Sequence, residues 1–478
     1  MEPYYTGDLV GGHMKILMGL IFGLVVLSVV PSFAQETSPG FTNAVRISNV
    51  SSDSQSPDLI VSGDGIFALW IENKDGRSNV FFSKSTDGGS TFGTPINLSE
   101  SAIGQSGYAT FAQIKDDIYV TWQTSLTGTA SVFLTKSTDG GSSFARPVMI
   151  SDVSKLAAFP QIAVSGNHVY TSWLEKSDNN STNIVFTKSD DKGGSFSAPQ
   201  YITQNTGNSG IPKIIANGSQ VFLAWEDNSK GNFEIFVSAS DDFGASFHAP
   251  VDASNSIGQS GTPQIEVSKN NVYVVWMDDA LGNYDILFSK SVDGGKSFSK
   301  SVNVSNLHKD SGYPQFVVSG NDVYVTWTQT VTDQNYDVFF AKSTDDGNTF
   351  DKPINVSDNF GASGWPKIAY DGSIYISWVD SSPGKFDLFI TKSSDGGASF
   401  QGATNISNTN KESYDSKMSA LNNSVYVIWQ EGVLGNHVIS FAKSTTFVPE
   451  FGSFASIALV ISIVAIIGIS FRSNLKLK

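Results

Sequence analysis

Acidic residues recur at two fixed places in this sequence, and paired carboxylates are its clearest candidates for chemistry. One acid follows a recurring tryptophan by two residues, and a second opens the next apolar run. The first set is Glu72, Glu175, Asp227, Asp278, Asp380 and Glu431, and the second is Glu234, Asp285, Asp337 and Asp387. Three pairs are predicted to face each other across a hairpin: Asp227 with Glu234, Asp278 with Asp285, and Asp380 with Asp387. Facing carboxylates can hydrolyse glycosides or hold Ca²⁺.

The same pairs also suit a structural role as caps of their own loops. Bare like charges repel, so each pair needs turn amides or a cation beside it. Because the pairs recur from repeat to repeat, capping is favoured over a cation site, and catalysis ranks third. The five histidines are scattered without ligand spacing, which gives no indication of a catalytic metal. The sequence therefore predicts no cofactor, with Ca²⁺ at these acid pairs as the alternative.

A third recurring position, just before the place where most first strands carry a proline, has bulky side chains. Its members are Tyr108, Phe159, Ile211, Tyr313, Trp365 and Tyr414. Rings at this position could stack on sugars or grip a peptide, or they could wedge against the next repeat. Both interpretations stay open. Trp365 is the best candidate for a ligand contact, because it is the one tryptophan outside the regular spacing.

All of these positions belong to a repeat of about fifty residues. The markers recur every 51 or 52 residues and define units 1 to 8: Trp70, Trp122, Trp173, Trp225, Trp276, Trp327, Trp378 and Trp429. Each unit reads as four short strands of period-two alternation. In unit 3 these are predicted at 160–166, 168–175, 183–189 and 196–203. Four-stranded units of this length, repeated this often, predict the blades of a β-propeller.

The strand patterns also predict how the array closes. The stretch "FTNAVRIS" at 41–48 matches the fourth strand of a unit, whereas the last unit has no fourth strand of its own. Pairing of 41–48 into the last unit would leave no open sheet edge. The predicted fold is therefore all-β, a single eight-bladed β-propeller over 41–447 that is closed by an N-terminal strand.

A polar phrase, here called the box, ends the third strand of seven units, as in "STDGGSTF" at 85–92. It resembles the Asp-box, or BNR repeat, of sialidases and related propellers. Its aspartates are Asp87, Asp139, Asp191, Asp242, Asp293, Asp345 and Asp395. Aspartate can accept bonds from turn amides, and the following glycine permits positive φ. The resemblance places the boxes opposite the family's active site, so they are predicted to be structural.

The resemblance raises sialidase activity, and the arginines argue against it. Sialidases hold the substrate carboxylate with three arginines, and this chain has only Arg46, Arg77, Arg146 and Arg472. Arg77 alone is predicted to reach the face opposite the boxes, and lysine lacks the planar fork of arginine. Near-uniform units also favour binding over catalysis. The predicted function is recognition of a glycan, peptide or cell-envelope polymer. The alternative is an exo-sialidase or other glycoside hydrolase that uses carboxylates on the face opposite the boxes.

Both ends of the chain carry membrane signals. An apolar run after Lys15, followed by small residues, predicts a cleaved signal peptide at 1–34. A linker at 448–453 precedes a membrane helix at 454–471 and a basic cytoplasmic tail at 472–478. The tail resembles the "PEFG"-type anchoring signals of archaeal surface proteins through its residues 449–452. The sequence thus predicts a protein on the extracellular face of a membrane.

Charge and cysteine content exclude two further classes. The chain has 45 acidic and 30 basic side chains, and a net charge of −15. Such a charge disfavours nucleic acid as a partner. The chain contains no cysteine, so neither disulfides nor thiolate metal sites contribute to its stability.

Overall fold

Alternating apolar and polar residues form β-strands in every unit. The computed structural model describes residues 40–333 and 335–444. Within these ranges all regular elements are strands, and no segment forms a helix of the length and apolarity that a bilayer crossing needs. The predicted signal peptide, linker, membrane helix and tail lie outside the described residues.

Each unit contributes a first, second and third strand of 5 to 11 residues, and a fourth strand of two. The first strands are Asp53–Ser62, Gln105–Ile114, Leu156–Ser165, Lys213–Asn217, Ser260–Ser268, Ser311–Ser319, Ser363–Tyr370 and Glu412–Leu421. The second strands are Gly65–Lys74, Asp117–Leu126, His168–Lys176, Gln220–Asp227, Asn271–Asp278, Asp322–Thr332, Ile374–Asp380 and Ser424–Val433. The third strands are Arg77–Ser85, Thr129–Ser137, Thr182–Ser189, Glu234–Ser240, Asp285–Ser291, Asn335–Ser343, Asp387–Ser393 and Asn436–Lys443. The fourth strands are Ile96–Asn97, Val148–Met149, Gln200–Tyr201, Val251–Asp252, Val302–Asn303, Ile354–Asn355, Thr404–Asn405 and Val45–Arg46.

The fourth strands are shorter than the sequence pattern predicts. In unit 3 the predicted strand covers 196–203, whereas the structure pairs only Gln200 and Tyr201 as strand. Pro199 precedes this pair and has no backbone N–H to donate to the ladder. Isolated bonds continue on both sides, from Ser197 N to Lys188 O at 2.8 Å and from Ile202 N to Ile184 O at 2.9 Å.

The strands of each unit pair antiparallel in chain order, and the last sheet borrows its fourth strand from the start of the chain. Val45 pairs with Phe441 and Arg46 pairs with Ser440. Phe41 forms a further bridge with Ser444. The predicted pairing of 41–48 with the last unit is confirmed.

Neighbouring units share their hydrophobic cores. All eight marker tryptophans are at most 1% exposed and therefore belong to the core. Each pair of successive units contributes to a common cluster, and Trp70 of unit 1 shares one with Ile439 and Phe441 of unit 8. The first strands also adjoin in order, and that of unit 8 contacts that of unit 1. We call these eight first strands the inner ring.

The box turns are frame elements that bond within themselves and to the next unit. Asp87 accepts bonds from Ser85 Oγ at 2.7 Å, Thr91 N at 3.0 Å and Thr91 Oγ1 at 2.6 Å. These bonds stabilise the charged form and lower the pKa of Asp87 to about 2. The lysine before the box reaches forward: Lys84 Nζ lies 2.8 Å from the carbonyl oxygen of Gly140 in the next box. This bond between a lysine and the next box stabilises the contact between neighbouring units.

The loops divide between two faces of the ring. Box turns bond to the turns between first and second strands, as in Gly140 N to Asp116 O at 3.0 Å. We call this side the box face. The hairpins between second and third strands lie beside the loops that lead to the next first strand, as in Gln105 Nε2 to Gly76 O at 2.7 Å. We call that side the hairpin face.

Candidate functional site

A repeated β-bulge distorts the inner ring near the hairpin face. In seven units one residue of the bulge holds a positive φ of 43° to 55°: Ser56, Tyr108, Phe159, Thr262, Tyr313, Trp365 and Asp415. We call these the bulge positions. A non-glycine residue in this region is strained by on the order of 1 kcal/mol. The same strained conformation recurs around one mouth of the ring. We infer that the backbone there is shaped to present side chains.

The preceding unit holds several of these bulges through a side chain that follows its marker tryptophan. Gln123 Oε1 accepts the Phe159 amide at 2.9 Å. Thr328 Oγ1 accepts the Trp365 amide at 3.1 Å. The bulge residues are therefore fixed by unit-to-unit contacts and do not depend on their own loops alone.

The bulge positions place four of the predicted ligand-binding aromatics at this mouth. Tyr108, Tyr313 and Trp365 are 52%, 48% and 49% exposed. Tyr108 packs edge-on against Phe159 with ring centroids 4.4 Å apart, and Tyr313 lies 6.3 Å from Trp365. Tyr108 and Tyr313 thus lie against a ring of the next unit, and these two rings and Trp365 still show about half of their surface to solvent.

Two predicted members of this set are placed differently. Tyr414 is one residue short of the bulge position, which Asp415 occupies, and its ring packs on Phe386 and His437. The last unit has no proline in this strand, so the sequence register was ambiguous by one residue. Ile211 precedes a first strand that begins only at Lys213, and it does not hold a positive φ.

A layer of polar side chains lies two residues deeper along the inner ring. Each member lies on a first strand and pairs with the second-strand residue that precedes the marker tryptophan. The members are Asp58, Thr110, Gln161, Lys213, Gln264, Gln315, Lys367 and Lys417. We call this the charged layer. Asp58 of unit 1 is electrostatically coupled to Lys213 of unit 4, and Lys367 of unit 7 is coupled to Lys213 as well. Groups from non-adjacent units interact in this way only when their side chains extend into the interior of the ring.

The charged layer shifts the titration of its own members. Burial and the nearby Lys417 lower the pKa of Lys367 to about 8. The same two causes lower the pKa of Lys213. Burial raises the pKa of Asp58, and Lys417 opposes that rise. Three lysines against one aspartate make a local excess of cations in an otherwise acidic protein.

One carboxyl group lies deeper still. Glu266 is half-buried on the first strand of unit 5, two residues beyond the charged layer. Burial alone raises its pKa to about 7. Ile215 and Val317 occupy the same depth in the adjoining units, so an apolar setting accounts for the shift.

The predicted acid pairs face each other across their hairpins. Asp227 pairs with Glu234, Asp278 with Asp285, and Asp380 with Asp387. All six are buried, and local donors hold them. Asp380, for example, accepts bonds from Trp378 Nε1 at 2.9 Å and from Ser382 N at 2.8 Å. Among the described residues no group of three or more histidine, aspartate or glutamate side chains is arranged to hold a metal ion. The bonds to Asp380 are those expected of a turn cap.

The one arginine predicted to reach the ligand face is engaged at its periphery. Arg77 opens the third strand of unit 1, is exposed, and donates to the carbonyl oxygen of Ala102 at 2.6 Å. It therefore ties a hairpin to the adjoining loop and is not part of the inner ring. The lysines of the charged layer were missed by sequence analysis. The signal that could have found them is the residue two places beyond the bulge position, or two places beyond Ile211 in unit 4, which has no such bulge.

Comparisons with known proteins give likeness of shape only. No model of a known family matches the chain, and no curated protein matches it. A protein of unknown function from Dyadobacter fermentans aligns with 77% of this chain and 100% of its own, at 16% identity and a TM-score of 0.43. An ulvan lyase aligns with 71% of this chain and 93% of its own, at 12% identity and 0.47.

A sialidase described as a Hadza microbial enzyme aligns with 80% of this chain and 74% of its own, at 11% identity and a TM-score of 0.43. At such scores the likeness assigns neither fold nor activity to this chain. Sialidases and polysaccharide lyases are among the similar structures. They give no support to the sequence-based prediction that this chain binds a ligand without catalysis.

Proposed function

We propose that this chain is an eight-bladed β-propeller of Asp-box type, anchored outside a membrane, that binds an acidic glycan at the mouth of its inner ring. The observation that carries the proposal is the convergence of Lys213, Lys367 and Lys417 just below a mouth of half-exposed aromatic rings. Two observations support the propeller. Each unit contacts the next and unit 8 contacts unit 1, and the box turns are held by internal hydrogen bonds.

The charged layer favours an anionic ligand. Holding three cations close together in a half-buried ring is unfavourable unless a counter-charge joins them. Asp58 supplies one negative charge and Asp415, at the bulge position of unit 8, supplies a second, which leaves an excess of one cation. A carboxylate or sulfate ester on a sugar would supply the rest through charge-assisted hydrogen bonds.

The mouth favours a sugar as the carrier of that anion. The exposed parts of Tyr108, Tyr313 and Trp365 present apolar faces of the kind on which sugar rings stack. Bulge geometry and the bond from Trp365 N to Thr328 hold Trp365 in place before ligand arrives. Such preorganisation lowers the entropic cost of binding.

The direction of the chain end supports display of this mouth to the exterior. Ser444 N bonds to Val425 O at 2.9 Å, beside the turn between the first and second strands of unit 8, and therefore on the box face. The described chain therefore ends on the face opposite the mouth, and the predicted anchor at 454–471 follows from that end.

The test is a glycan-array comparison with the full chain in nanodiscs. Carboxylated and sulfated glycans are expected to bind in preference to neutral ones. Replacing Lys213, Lys367 and Lys417 by methionine should weaken that binding at least about a hundredfold, since each charge-assisted bond contributes about 1.5–3 kcal/mol. Trp365→Ala should also weaken it.

The control removes the same number of charges from lysines on the hairpin face outside the inner ring: Lys155, Lys309 and Lys411. This triple methionine variant should bind within about twofold of the parent, because exposed charges contribute little. Equal losses in both triple variants would reduce the effect to net charge and would contradict the proposed site.

Binding should weaken as pH rises from 7 to 9. The pKa of Lys367 lies at about 8, so this lysine is mostly protonated at pH 7 and mostly neutral at pH 9. Loss of its charge removes attraction for an anion, and about a tenfold weaker affinity at pH 9 is expected. Titration calorimetry at both pH values measures this change. In Lys367→Met the difference should shrink, and a parent-like pH dependence in that variant would show that another group is responsible.

Glycoside hydrolysis is the second candidate function, and Glu266 is the observation that favours it. A carboxyl group with a pKa of about 7 is protonated often enough near neutral pH to act as a general acid. Release of new reducing ends from a bound acidic glycan, lost in Glu266→Gln with binding retained, would establish turnover. Binding without such release would leave recognition as the function.

A further inference from the structure

The aromatic rings at the mouth of the inner ring form two separate pairs. Tyr108 of unit 2 packs edge-on against Phe159 of unit 3, with ring centroids 4.4 Å apart. Tyr313 of unit 6 and Trp365 of unit 7 have ring centroids 6.3 Å apart. We call these the first and the second aromatic pair. In a ring of eight units, the boundary between units 2 and 3 lies opposite the boundary between units 6 and 7. The two pairs therefore lie on opposite sides of the mouth.

The equivalent positions of the other four units separate the two pairs. They carry Ser56, Ile211, Thr262 and Asp415, in units 1, 4, 5 and 8. Similar residues thus recur four units apart, with a small hydroxyl residue in units 1 and 5, a tyrosine in units 2 and 6, and a second aromatic residue in units 3 and 7. The mouth therefore has two aromatic contact surfaces and not a continuous aromatic rim.

Both pairs are fixed in the same way before a ligand arrives. Gln123 of unit 2 accepts the Phe159 amide at 2.9 Å, and Thr328 of unit 6 accepts the Trp365 amide at 3.1 Å. In each pair the unit that supplies the tyrosine therefore also holds the backbone of the second aromatic residue. At least one ring of each pair is about half exposed, so both pairs offer a preorganised surface on which a sugar ring can stack.

The charged layer lies below the space between the two pairs. Lys213 of unit 4 and Lys417 of unit 8 come from opposite sides of the ring. Burial and the charge of Lys417 nevertheless lower the pKa of Lys213, so the two side chains approach each other across the interior. Side chains that meet in this way obstruct the passage of a polymer through the centre of the ring. A sugar chain can therefore reach both aromatic pairs only by lying across the mouth, where a group directed into the ring meets the lysines.

We propose that one acidic oligosaccharide lies across the mouth, with separate sugar residues stacked on the two aromatic pairs and the anionic group of a residue between them bound by the charged layer. This inference rests on the function proposed above and adds that the recognised acid is internal to the sugar chain. A terminal acid in the charged layer would leave one of the two pairs without a sugar.

The test measures how affinity depends on ligand length, by titration calorimetry on the full chain in nanodiscs. The probes are oligogalacturonides and chondroitin sulfate oligosaccharides, each as a disaccharide and a hexasaccharide. In at least one series the hexasaccharide is expected to bind at least about tenfold more tightly than the disaccharide, because it contacts a second aromatic pair. It should bind as one molecule per chain.

Two variants each remove one aromatic pair and leave the charge of the protein unchanged. They are Tyr108→Ala with Phe159→Ala, and Tyr313→Ala with Trp365→Ala. In either variant the hexasaccharide should bind within about twofold of the disaccharide, because only one pair remains, and the disaccharide should still bind. The matched control is Phe243→Ala with Val292→Ala, which removes two side chains that are 40% and 64% exposed on the box face. This control should keep the full advantage of the hexasaccharide.

A second measurement uses only the parent chain and does not depend on the folding of the variants. The NMR signals of the Tyr108 and Trp365 rings should both shift on titration with the hexasaccharide and should give one dissociation constant. Equal affinity for the disaccharide and the hexasaccharide, two hexasaccharides per chain, or a length advantage that survives the loss of either pair would overturn this inference and leave the proposed function standing. If no acidic probe binds the parent chain, the proposed function fails and this inference fails with it.

Discussion

Deletion of residues 41–48 is expected to abolish cooperative unfolding of the whole chain. This segment supplies the last strand of unit 8, and its two buried apolar side chains enter different cores. Phe41 packs with Trp429 in the cluster between units 7 and 8, and Ile47 packs with Trp70 in the cluster between units 8 and 1. Each side chain contributes roughly 1.5–3 kcal/mol through burial.

The deletion also leaves backbone donors of unit 8 unpaired. Ile439 N donates to Ser48 Oγ at 2.8 Å, and Ile439 O accepts from Ile47 N at 2.8 Å. Together these losses approach the roughly 5–15 kcal/mol by which a typical domain is stable. Chemical unfolding followed by tryptophan fluorescence should show a broad transition at much lower denaturant, because most marker tryptophans lie between units.

A matched control changes exposed residues of the same segment. Asn43→Ser with Arg46→Ser keeps Phe41 and Ile47 and should shift the midpoint only slightly. A rescue variant carries residues 86–91 of the unit 1 box followed by residues 41–48, inserted after Ser444 into the deleted chain, and should regain the parent transition. Parent-like unfolding of the deletion, or failure of the rescue, would contradict closure by this segment.

Gly347→Ala is expected to destabilise the chain more than any other single box-glycine change. Gly347 holds a φ of 77°, and an added Cβ would lie 2.2 Å from Cε1 of Phe288 in the preceding unit. That ring is fully buried and packs edge-on against Phe350 at 5.3 Å, so it has little room to move. We expect about 1–3 kcal/mol from overpacking, in addition to about 1 kcal/mol from the left-handed backbone.

Gly396→Ala separates the two contributions. Gly396 has a similar φ of 67° in the next box, and an added Cβ would meet no atom within 4 Å. It should therefore show the backbone penalty alone. Equilibrium unfolding in urea measures both variants, and equal destabilisation would mean that the contact with Phe288 does not constrain the box.

The frame of this molecule could be predicted from the sequence because every unit repeats it. The spacing of the tryptophans identified the core of each unit, and the orphan strand pattern at 41–48 identified its partner about 400 residues away. The facing of Asp227 with Glu234 likewise follows from counting along a hairpin. Repetition turns weak local signals into a strong pattern.

The candidate site was harder to predict, because it lies where units differ. Lys213, Lys367 and Lys417 share a position with glutamine and threonine in other units, so no periodicity marks them. Their significance appears only when the ring brings units 4, 7 and 8 together across its interior. The shift of one residue at Tyr414 has a related cause, because a bulge inserts one residue without changing the strand pattern.

The pairing of Thr42 with Lys443 spans 401 positions, and this separation has a consequence for biosynthesis. A nascent chain contains the fourth strand of unit 8 long before the other three strands of that unit have been made. Until the ribosome completes unit 8, the emerging array has an exposed sheet edge, which is prone to association with other strands. The interval before unit 8 is complete is therefore the time at which association between chains is expected to compete most with folding.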